Sequence, residues 1–145
     1  MERTLIALVG LPRSGKSTLA KTLGHPIVNK DSIRLAMHGQ KFLKEAEPWV
    51  HVLAKTMVEA LFRAGHDTVT LDECNVTRKR RDEWANSDFW TTIFLMVGTP
   101  EEVCRQRALE QNDTSLLSVI DRMSENFELL EDDELISDWD ERRSL

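Results

Sequence analysis

The segment from Gly10 to Ser17 reads Gly-Leu-Pro-Arg-Ser-Gly-Lys-Ser and fits the pattern G-x-x-x-x-G-K-S/T at every fixed position. Glycines let such a backbone curl, so that successive N–H groups point at phosphate oxygens. Lys16 is a flexible point charge for the β- and γ-phosphates, and the Ser17 hydroxyl is suited to bind Mg²⁺. The pattern therefore predicts a binding site for ATP and Mg²⁺. Its predicted contacts are Gly10, Leu11, Pro12, Arg13, Ser14, Gly15, Lys16, Ser17 and Thr18.

Asp31 and Arg34 stand three positions apart, which places both side chains on one face of a helix. A carboxylate there can accept the proton of a hydroxyl group, and an arginine can hold a neighbouring phosphate through two hydrogen bonds. From the residues alone, a helix N-cap and a solvated arginine explain the pair equally well. Asp72 follows a predicted strand, where α/β sheets bind their ligands, although a turn aspartate is its alternative explanation.

The elements that must position these residues alternate along the chain. The apolar run at 4–9 is typical of a buried parallel strand. Further strands are predicted at 27–29, 68–71 and 91–97, and a fifth, edge strand at 135–136. Helices are predicted at 17–23, 32–37, 48–64, 78–85, 99–111 and 115–130. This order predicts one α/β domain over 1–145, with a parallel sheet of four to five strands, helices on both faces, and an irregular acidic tail over 131–145.

The helix at 48–64 has the clearest periodic pattern, because apolar and small residues repeat there at intervals of three and four. That stripe contains Trp49, Val52, Leu53, Thr56, Met57, Ala60, Leu61 and Ala64. We expect the stripe to pack on the core, and we expect Trp84 and Trp90 to be core residues rather than base-stacking platforms.

Capping signals mark two helix starts. Asp31 stands where the N-cap of the helix at 32–37 is expected. The segment Thr99-Pro-Glu-Glu102 fits a capping box, with Thr99 as N-cap, proline as the first helical residue and Glu102 as the third.

Composition restricts the function class. The net charge of −6 argues against broad nucleic-acid binding, and residues 78–81 form the one dense basic cluster. The two cysteines lack metal-ligand or disulfide-framework spacing and are interpreted as reduced thiols. No apolar run approaches the 20 or so residues of a membrane span, so we expect a cytoplasmic protein with no membrane partner. Residues 29–31 fall one residue short of a GTPase base-reading motif and lie too early for one.

Together these segments resemble the kinase domain of phage polynucleotide 5′-hydroxyl kinases and their small AAA-type relatives in the adenylate-kinase-like group. The matching segments are 10–18, 31–34, 71–81, 103–107 and 119–128, within roughly 4–130. The resemblance implies a nucleoside-monophosphate-kinase-like P-loop fold. It implies that Asp31 is the general base for the acceptor hydroxyl, that Arg34 contacts the acceptor's phosphate, and that Asp72 arranges the acceptor site.

The resemblance also implies a lid whose arginines reach over ATP. Arg107 matches the first of these, the second falls at the uncharged Gln111, and Arg105 is a further candidate that could supply the charge. Within the acceptor segment, Asn75 is expected to brace the loop. Arg78 could approach an acidic acceptor, although a solvated helix face is the commoner fate of such a residue.

These residues predict an ATP-dependent phosphotransferase in which Lys16, Asp31, Arg34 and Arg107 carry the chemistry. The 5′-hydroxyl of a polynucleotide is the first acceptor hypothesis. A small-metabolite kinase, acting on a sugar, nucleoside or antibiotic, is the second. The third is an ATP-binding module with little chemistry, which the uncharged Gln111 favours. An exposed edge strand could also support a homo-oligomer.

Overall fold

The computed structural model describes residues 2–136 of the 145-residue chain. Its four strands form one sheet in the order β2-β3-β1-β4, and every neighbouring pair is parallel. The predicted α/β fold with a parallel sheet is therefore confirmed, with four strands. The strands are β1 (Thr4–Val9), β2 (Ile27–Asn29), β3 (Thr68–Asp72) and β4 (Thr91–Met96).

Six α-helices connect and follow the strands, close to the predicted positions. They are α1 (Lys16–Leu23), α2 (Lys30–His38), α3 (Glu47–Arg63), α4 (Arg78–Ala85), α5 (Glu101–Glu110) and α6 (Leu116–Glu125). A short 3-10 turn at Lys44–Ala46 precedes α3. The last helix ends five residues before the predicted limit, because the chain turns there and the Glu128 N–H donates to the carbonyl of Val76 at 2.8 Å.

Strand β1 lies between two apolar layers because successive side chains of a strand point to opposite faces. Leu5, Ala7 and Val9 pack in the cluster that contains the inner face of α3. Leu8 packs on the other face, in a cluster with Ala20 of α1. The sheet is therefore covered on both sides, as the sequence predicted.

Helix α3 buries a different face from the predicted one. Val50, Ala54, Val58 and Phe62 are its buried residues, whereas Trp49 is 64% exposed. The prediction that Trp49 and its stripe form the core is wrong for every stripe member except Leu61, which is partly buried against the core. Apolar residues occur on both the buried and the exposed side of α3. The helical period of 3.6 residues therefore fits two apolar stripes, displaced from each other by one residue. Trp84, by contrast, is fully buried as expected.

Both predicted N-caps are also wrong. The cap of α2 is Asn29, whose side chain accepts a hydrogen bond from the Ser32 N–H at 2.8 Å, and Asp31 lies in the first turn. Helix α5 has Pro100 at its N-cap. The Thr99 hydroxyl instead donates to the carbonyl of Ser14 at 2.6 Å.

The end of the described chain returns to β4 but does not form the predicted fifth strand. A single parallel bridge joins Phe94 and Ile136. The buried Arg81 side chain donates to Glu134 at 2.7 Å and anchors this segment. The remainder of the predicted acidic tail, 137–145, lies outside the described residues. Within 2–136, the helices are all too short or too polar to cross a bilayer.

Candidate active site

The predicted phosphate loop connects the end of β1 to the start of α1. Gly15 has a φ of 100°, in the left-handed region that favours glycine. A Cβ at Gly10 would lie 2.8 Å from both the Val97 carbonyl oxygen and the Ser14 hydroxyl. Both glycines are therefore required by geometry, one for its torsion and one for the close approach of the backbone.

Ser17 and Asp72 meet at the start of α1. The Ser17 hydroxyl donates to Oδ2 of Asp72 at 2.7 Å, and the Asn29 amide donates to the same oxygen at 3.0 Å. A hydroxyl and a carboxylate are the hard oxygen donors that Mg²⁺ prefers, and they stand beside a helix N-terminus that favours phosphate. The donor set therefore fits a Mg²⁺–nucleotide group. The sequence predicted Ser17 for this role and placed Asp72 with the acceptor.

Lys16 is held inside the loop. It is 7% exposed, and its ammonium group donates to the carbonyl of Leu11 at 2.7 Å. Asn75, which was predicted to brace the loop, donates through its amide to the Leu8 carbonyl at 2.9 Å, within β1 and two residues before the loop begins. Its φ of 51° lies in the left-handed region, in the turn after β3. That turn is therefore tied to the strand from which the loop leaves.

A cleft of about 1120 Å³ opens over the loop and extends to α2. Its walls bring together most of the predicted site residues, including Asp31, Arg34 and Asp72. Among the loop residues that line it are Pro12, Arg13, Ser14, Gly15, Lys16, Ser17 and Thr18. Leu11 lies behind the loop in the apolar cluster with Ile120, and it contributes its carbonyl to Lys16.

The α2 side of the cleft, where the acceptor was predicted, is a three-residue ionic network. Arg34 donates through Nε and Nη2 to the two oxygens of Glu47, at 2.9 and 2.6 Å, and through Nη1 to Asp31 at 2.8 Å. Burial alone raises the pKa of Glu47, but the hydrogen bonds and charge of Arg34 outweigh it and hold that pKa below its usual value. The sequence found Arg34 and Asp31 but missed Glu47.

The lid arginines divide into one at the cleft and one away from it. Arg107 lines the cleft, and its guanidinium donates to the carbonyl of Arg13 at 3.0 Å. Arg105 forms an ion pair with Asp121 of α6. The described cleft residues include Gln111 but not Arg105, so the structure does not bring the further candidate to the site.

Arg78 also lies away from the cleft. It pairs with Asp82 at 2.7 Å and with Glu131 and Asp133, both at 2.8 Å. These carboxylates hold it against the segment after α6. The structure therefore gives Arg78 an anchoring position rather than the predicted place at the acceptor.

A buried ionic cluster joins α2, α3 and the segment after β3, and it was not predicted from the sequence. Lys30, whose side chain is 4% exposed, donates to Glu73 at 2.7 Å and lies 3.1 Å from Nδ1 of His51. The other oxygen of Glu73 accepts from the indole of Trp84 at 2.9 Å. Burial, together with the charge of Lys30, lowers the pKa of His51. One signal was available in the sequence, because Lys30 and Glu73 are the immediate neighbours of the two predicted site aspartates.

The mouth of the cleft carries cations and one exposed aromatic ring. Lys41 and Arg80 are 62% and 54% exposed, and Phe42 is 63% exposed. Arg122 of α6 also lines the cleft, and it forms no ion pair within the part of the chain described. None of these four residues was predicted to belong to the site.

Comparison with protein families gives one match, to the AAA domain family (AAA_33) over residues 5–130. No curated protein matches the chain. The fold is similar to a gluconokinase from Sinorhizobium meliloti 1021, with a TM-score of 0.64 and 18% identity, over 92% of this chain and 79% of that one. A sugar kinase from Janibacter sp. HTCC2649 gives a TM-score of 0.64 and 22% identity, over 94% of this chain and 84% of that one.

A chain of the Pnkp1/Rnl/Hen1 RNA repair complex is similar as well, with a TM-score of 0.62 and 20% identity over 96% of this chain. This chain spans 53% of that one, about half its length. Because these sequence identities are below 25%, the structural similarities show the fold alone. Together with the family match, they confirm the predicted resemblance to small P-loop kinases.

Proposed function

The chain belongs to the AAA domain family, and from that premise we propose that it is an ATP-dependent kinase that phosphorylates a hydroxyl group, most favourably at the 5′ end of a nucleic acid. One observation carries the proposal. The Ser17–Asp72 pair beside the phosphate loop and the Asp31 carboxylate line the same cleft. A triphosphate held at the loop and a hydroxyl held at Asp31 would therefore share one enclosed space.

On the ATP side, the chain's own groups hold phosphate and metal. The loop backbone and Lys16 would bind the phosphates, while Ser17 and Asp72 would hold Mg²⁺ through oxygen atoms. Mg²⁺ bound there offsets negative charge on the phosphates. Arg107, which reaches the loop at the carbonyl of Arg13, adds a further positive charge from the lid side. These contacts position charge and need no covalent intermediate on the protein.

On the acceptor side, Asp31 is suited to take the hydroxyl proton. Its side chain is 60% exposed, so an acceptor can reach it. Arg34 donates to Oδ1, and Oδ2 has no hydrogen-bond partner among residues 2–136. One oxygen is thereby oriented and the other is free to accept a proton, as a general base requires.

The mouth of the cleft favours a nucleic-acid acceptor. Phe42 offers an exposed ring on which a base can stack. Lys41 and Arg80 lie 3.7 Å from the carboxylates of Asp113 and Glu83, and both remain exposed enough for a phosphate backbone to reach them. The fold's similarity to a chain of an RNA repair complex is consistent with such an acceptor.

A small polyol is the second candidate acceptor, and the Arg34 network favours it. Glu47 and Asp31 accept hydrogen bonds from all three nitrogens of the Arg34 guanidinium, and their negative charges offset its positive charge. Arg34 therefore attracts an acceptor phosphate less strongly. An uncharged polyol needs no such phosphate contact. The fold's similarity to a gluconokinase and a sugar kinase is consistent with this candidate.

A panel assay separates these candidates. The protein is incubated with γ-labelled ATP and, in separate reactions, with 5′-hydroxyl oligonucleotides, nucleosides and sugars, and Asp31→Asn serves as the blank. Label on the oligonucleotide supports the first acceptor, and label on a small molecule supports the second. ATP binding without transfer to any acceptor would contradict the kinase proposal and support a nucleotide-binding module.

A further inference from the structure

An apolar strip runs along the outward side of α3, and nothing in residues 2–136 covers it. Glu59 and Arg63, 45% and 64% exposed, lie beside the strip and pair with each other at 3.3 Å. Trp49, Val52, Leu53 and Met57 are 64%, 52%, 41% and 43% exposed. Together they expose on the order of 400 Å², which is near the upper end of the apolar patches that monomers carry. A helix that is apolar on both faces is normally buried on both.

Large and small residues follow a regular order on this face. Trp49 and Leu53 lie in the N-terminal half, Ala60 and Ala64 lie at the C-terminal end, and Thr56 and Met57 are adjacent at the centre. The face spans about 22 Å at 1.5 Å per residue. Such an order suits an antiparallel partner with the reverse order of sizes.

We propose that a second copy of this chain covers the outward face of α3, in an antiparallel helix pair related by a two-fold axis between Thr56 and Met57. That axis sets Trp49 against Ala64 of the second copy, Leu53 against Ala60, and Met57 against Thr56. Each pair then combines a larger side chain with a smaller one, which lets two helices pack closely. A parallel partner in register would instead set each residue against itself.

Charge and area agree with a second copy. Trp49, Leu53, Thr56, Met57 and Ala60 are uncharged, and the neighbouring Glu59 and Arg63 pair with each other. Two identical faces can therefore meet without net like-charge repulsion, although each chain carries a net charge of −6. Two such patches and their rims would bury roughly 1,000 Å² in total, the lower limit for a specific interface. We propose that this dimer dissociates in the micromolar range, since an interface at the lower limit of size is typical of weak, transient complexes. The proposal does not depend on the kinase activity.

Sedimentation equilibrium of the full chain at about 100 µM tests the association, at a concentration where a micromolar dimer is populated. We expect a dimer for the wild type and a monomer for Met57→Glu, because the substitution sets two negative charges side by side at the axis. Val103→Glu is the matched control, since Val103 is 39% exposed on α5, and it should remain dimeric. Ala60→Arg gives a second disruption of the face. Far-UV circular dichroism confirms that each variant is folded.

Cysteine cross-linking tests the register. Under mild oxidation, Leu53→Cys mixed with Ala60→Cys should yield a covalent dimer, because those positions face each other across the axis. Either variant alone should not, because each position then lies about 10 Å along the helix from its own copy, beyond the reach of a disulfide. The wild type, with Cys74 and Cys104, is the background control.

Three results would overturn the proposal. The first is a monomeric protein at about 100 µM. If the Leu53→Cys variant of that monomer is protected from alkylation, another part of the same chain covers the face. The second is a dimer that survives Met57→Glu and Ala60→Arg. The third is cross-linking by either cysteine variant alone.

Discussion

The two halves of the cleft are built in different ways. In the proposed function, the ATP half is built mainly on one contiguous segment whose backbone shape depends on Gly10 and Gly15, and Asp72 and Arg107 join it from β3 and α5. The acceptor half is made by side chains from separate elements, among them Lys30, Glu73 and Glu47, which meet through ion pairs at 2.6 to 2.9 Å. A backbone site is specified locally, whereas a side-chain site needs the whole fold to form.

This difference has an energetic consequence. A backbone loop tolerates changes in its side chains but not an added Cβ where two strands of backbone approach closely. A buried ionic cluster depends on its side chains instead. Removing one partner leaves the other charge unpaired in a region that water hardly reaches. The two halves should therefore fail under different substitutions.

The largest effect is expected at the lid. Arg107→Gln should lower phosphoryl transfer by about 10³-fold, because an arginine at the transferring group stabilises charge in the transition state. Arg105→Gln is the matched control on the same helix, and it should stay within about twofold, since Arg105 pairs with Asp121 away from the cleft. Initial rates at saturating ATP measure both. Equal losses in the two variants would contradict the division of the lid arginines.

The next effect is on stability, in the acceptor half. Glu73→Gln should lower the free energy of unfolding by about 3 kcal/mol, because the buried Lys30 loses its carboxylate partner. Glu59→Gln removes a pair with Arg63 in which both side chains are well exposed, so it should cost less than about 1 kcal/mol. Urea denaturation gives both values. Similar costs would mean that the Lys30–Glu73 pair adds no more than a surface pair.

A smaller loss is expected in the ATP half. Gly10→Ala should cost about 1–3 kcal/mol of stability and weaken ATP binding, since the new methyl group would meet the Val97 carbonyl at 2.8 Å. Gly98→Ala is the control in the same region, because a Cβ there meets nothing within 4 Å. If both variants bind ATP like the wild type, close backbone approach at Gly10 does not shape the loop.

The smallest effect is a pH dependence of stability from His51. Burial and the charge of Lys30 lower the pKa of His51, and the charge of Lys55 lowers it further. The carboxylates of Glu83 and Glu73 raise that pKa but do not reverse the shift. A lowered folded-state pKa means that this contribution to stability is complete above about pH 6.5 and falls as the pH drops below it. Unfolding free energies measured across that range should decline in the wild type and decline less in His51→Gln. A decline that is identical in both would exclude His51 as the source.

Sequence reasoning succeeded where structure is local. The phosphate loop, the four strands and the positions of Asp31, Arg34 and Asp72 after their strands follow from short patterns, and the structure brings them to one cleft. The contact between Ser17 and Asp72 was not predicted, because Asp72 reaches Ser17 only once β3 lies beside β1.

Sequence reasoning failed where two patterns competed. Helix α3 carries two apolar stripes, and periodicity selected the exposed one with Trp49 instead of the buried one with Val50. Thr99 fits a capping box, but the nearby loop provides the Ser14 carbonyl as a different partner for its hydroxyl. Glu47 lies 13 positions beyond Arg34, a separation that no local pattern connects.

The proposed function requires one cleft to join a nucleotide site to a separate base, Asp31. Two measurements on Asp31→Asn test this requirement: isothermal calorimetry of ATP binding, and the initial rate of phosphoryl transfer to the acceptor that the panel identifies. We expect an ATP affinity within about twofold of wild type and a transfer rate lower by at least about 10²-fold. Transfer at the wild-type rate, or a loss of ATP binding as large as the loss of transfer, would contradict it.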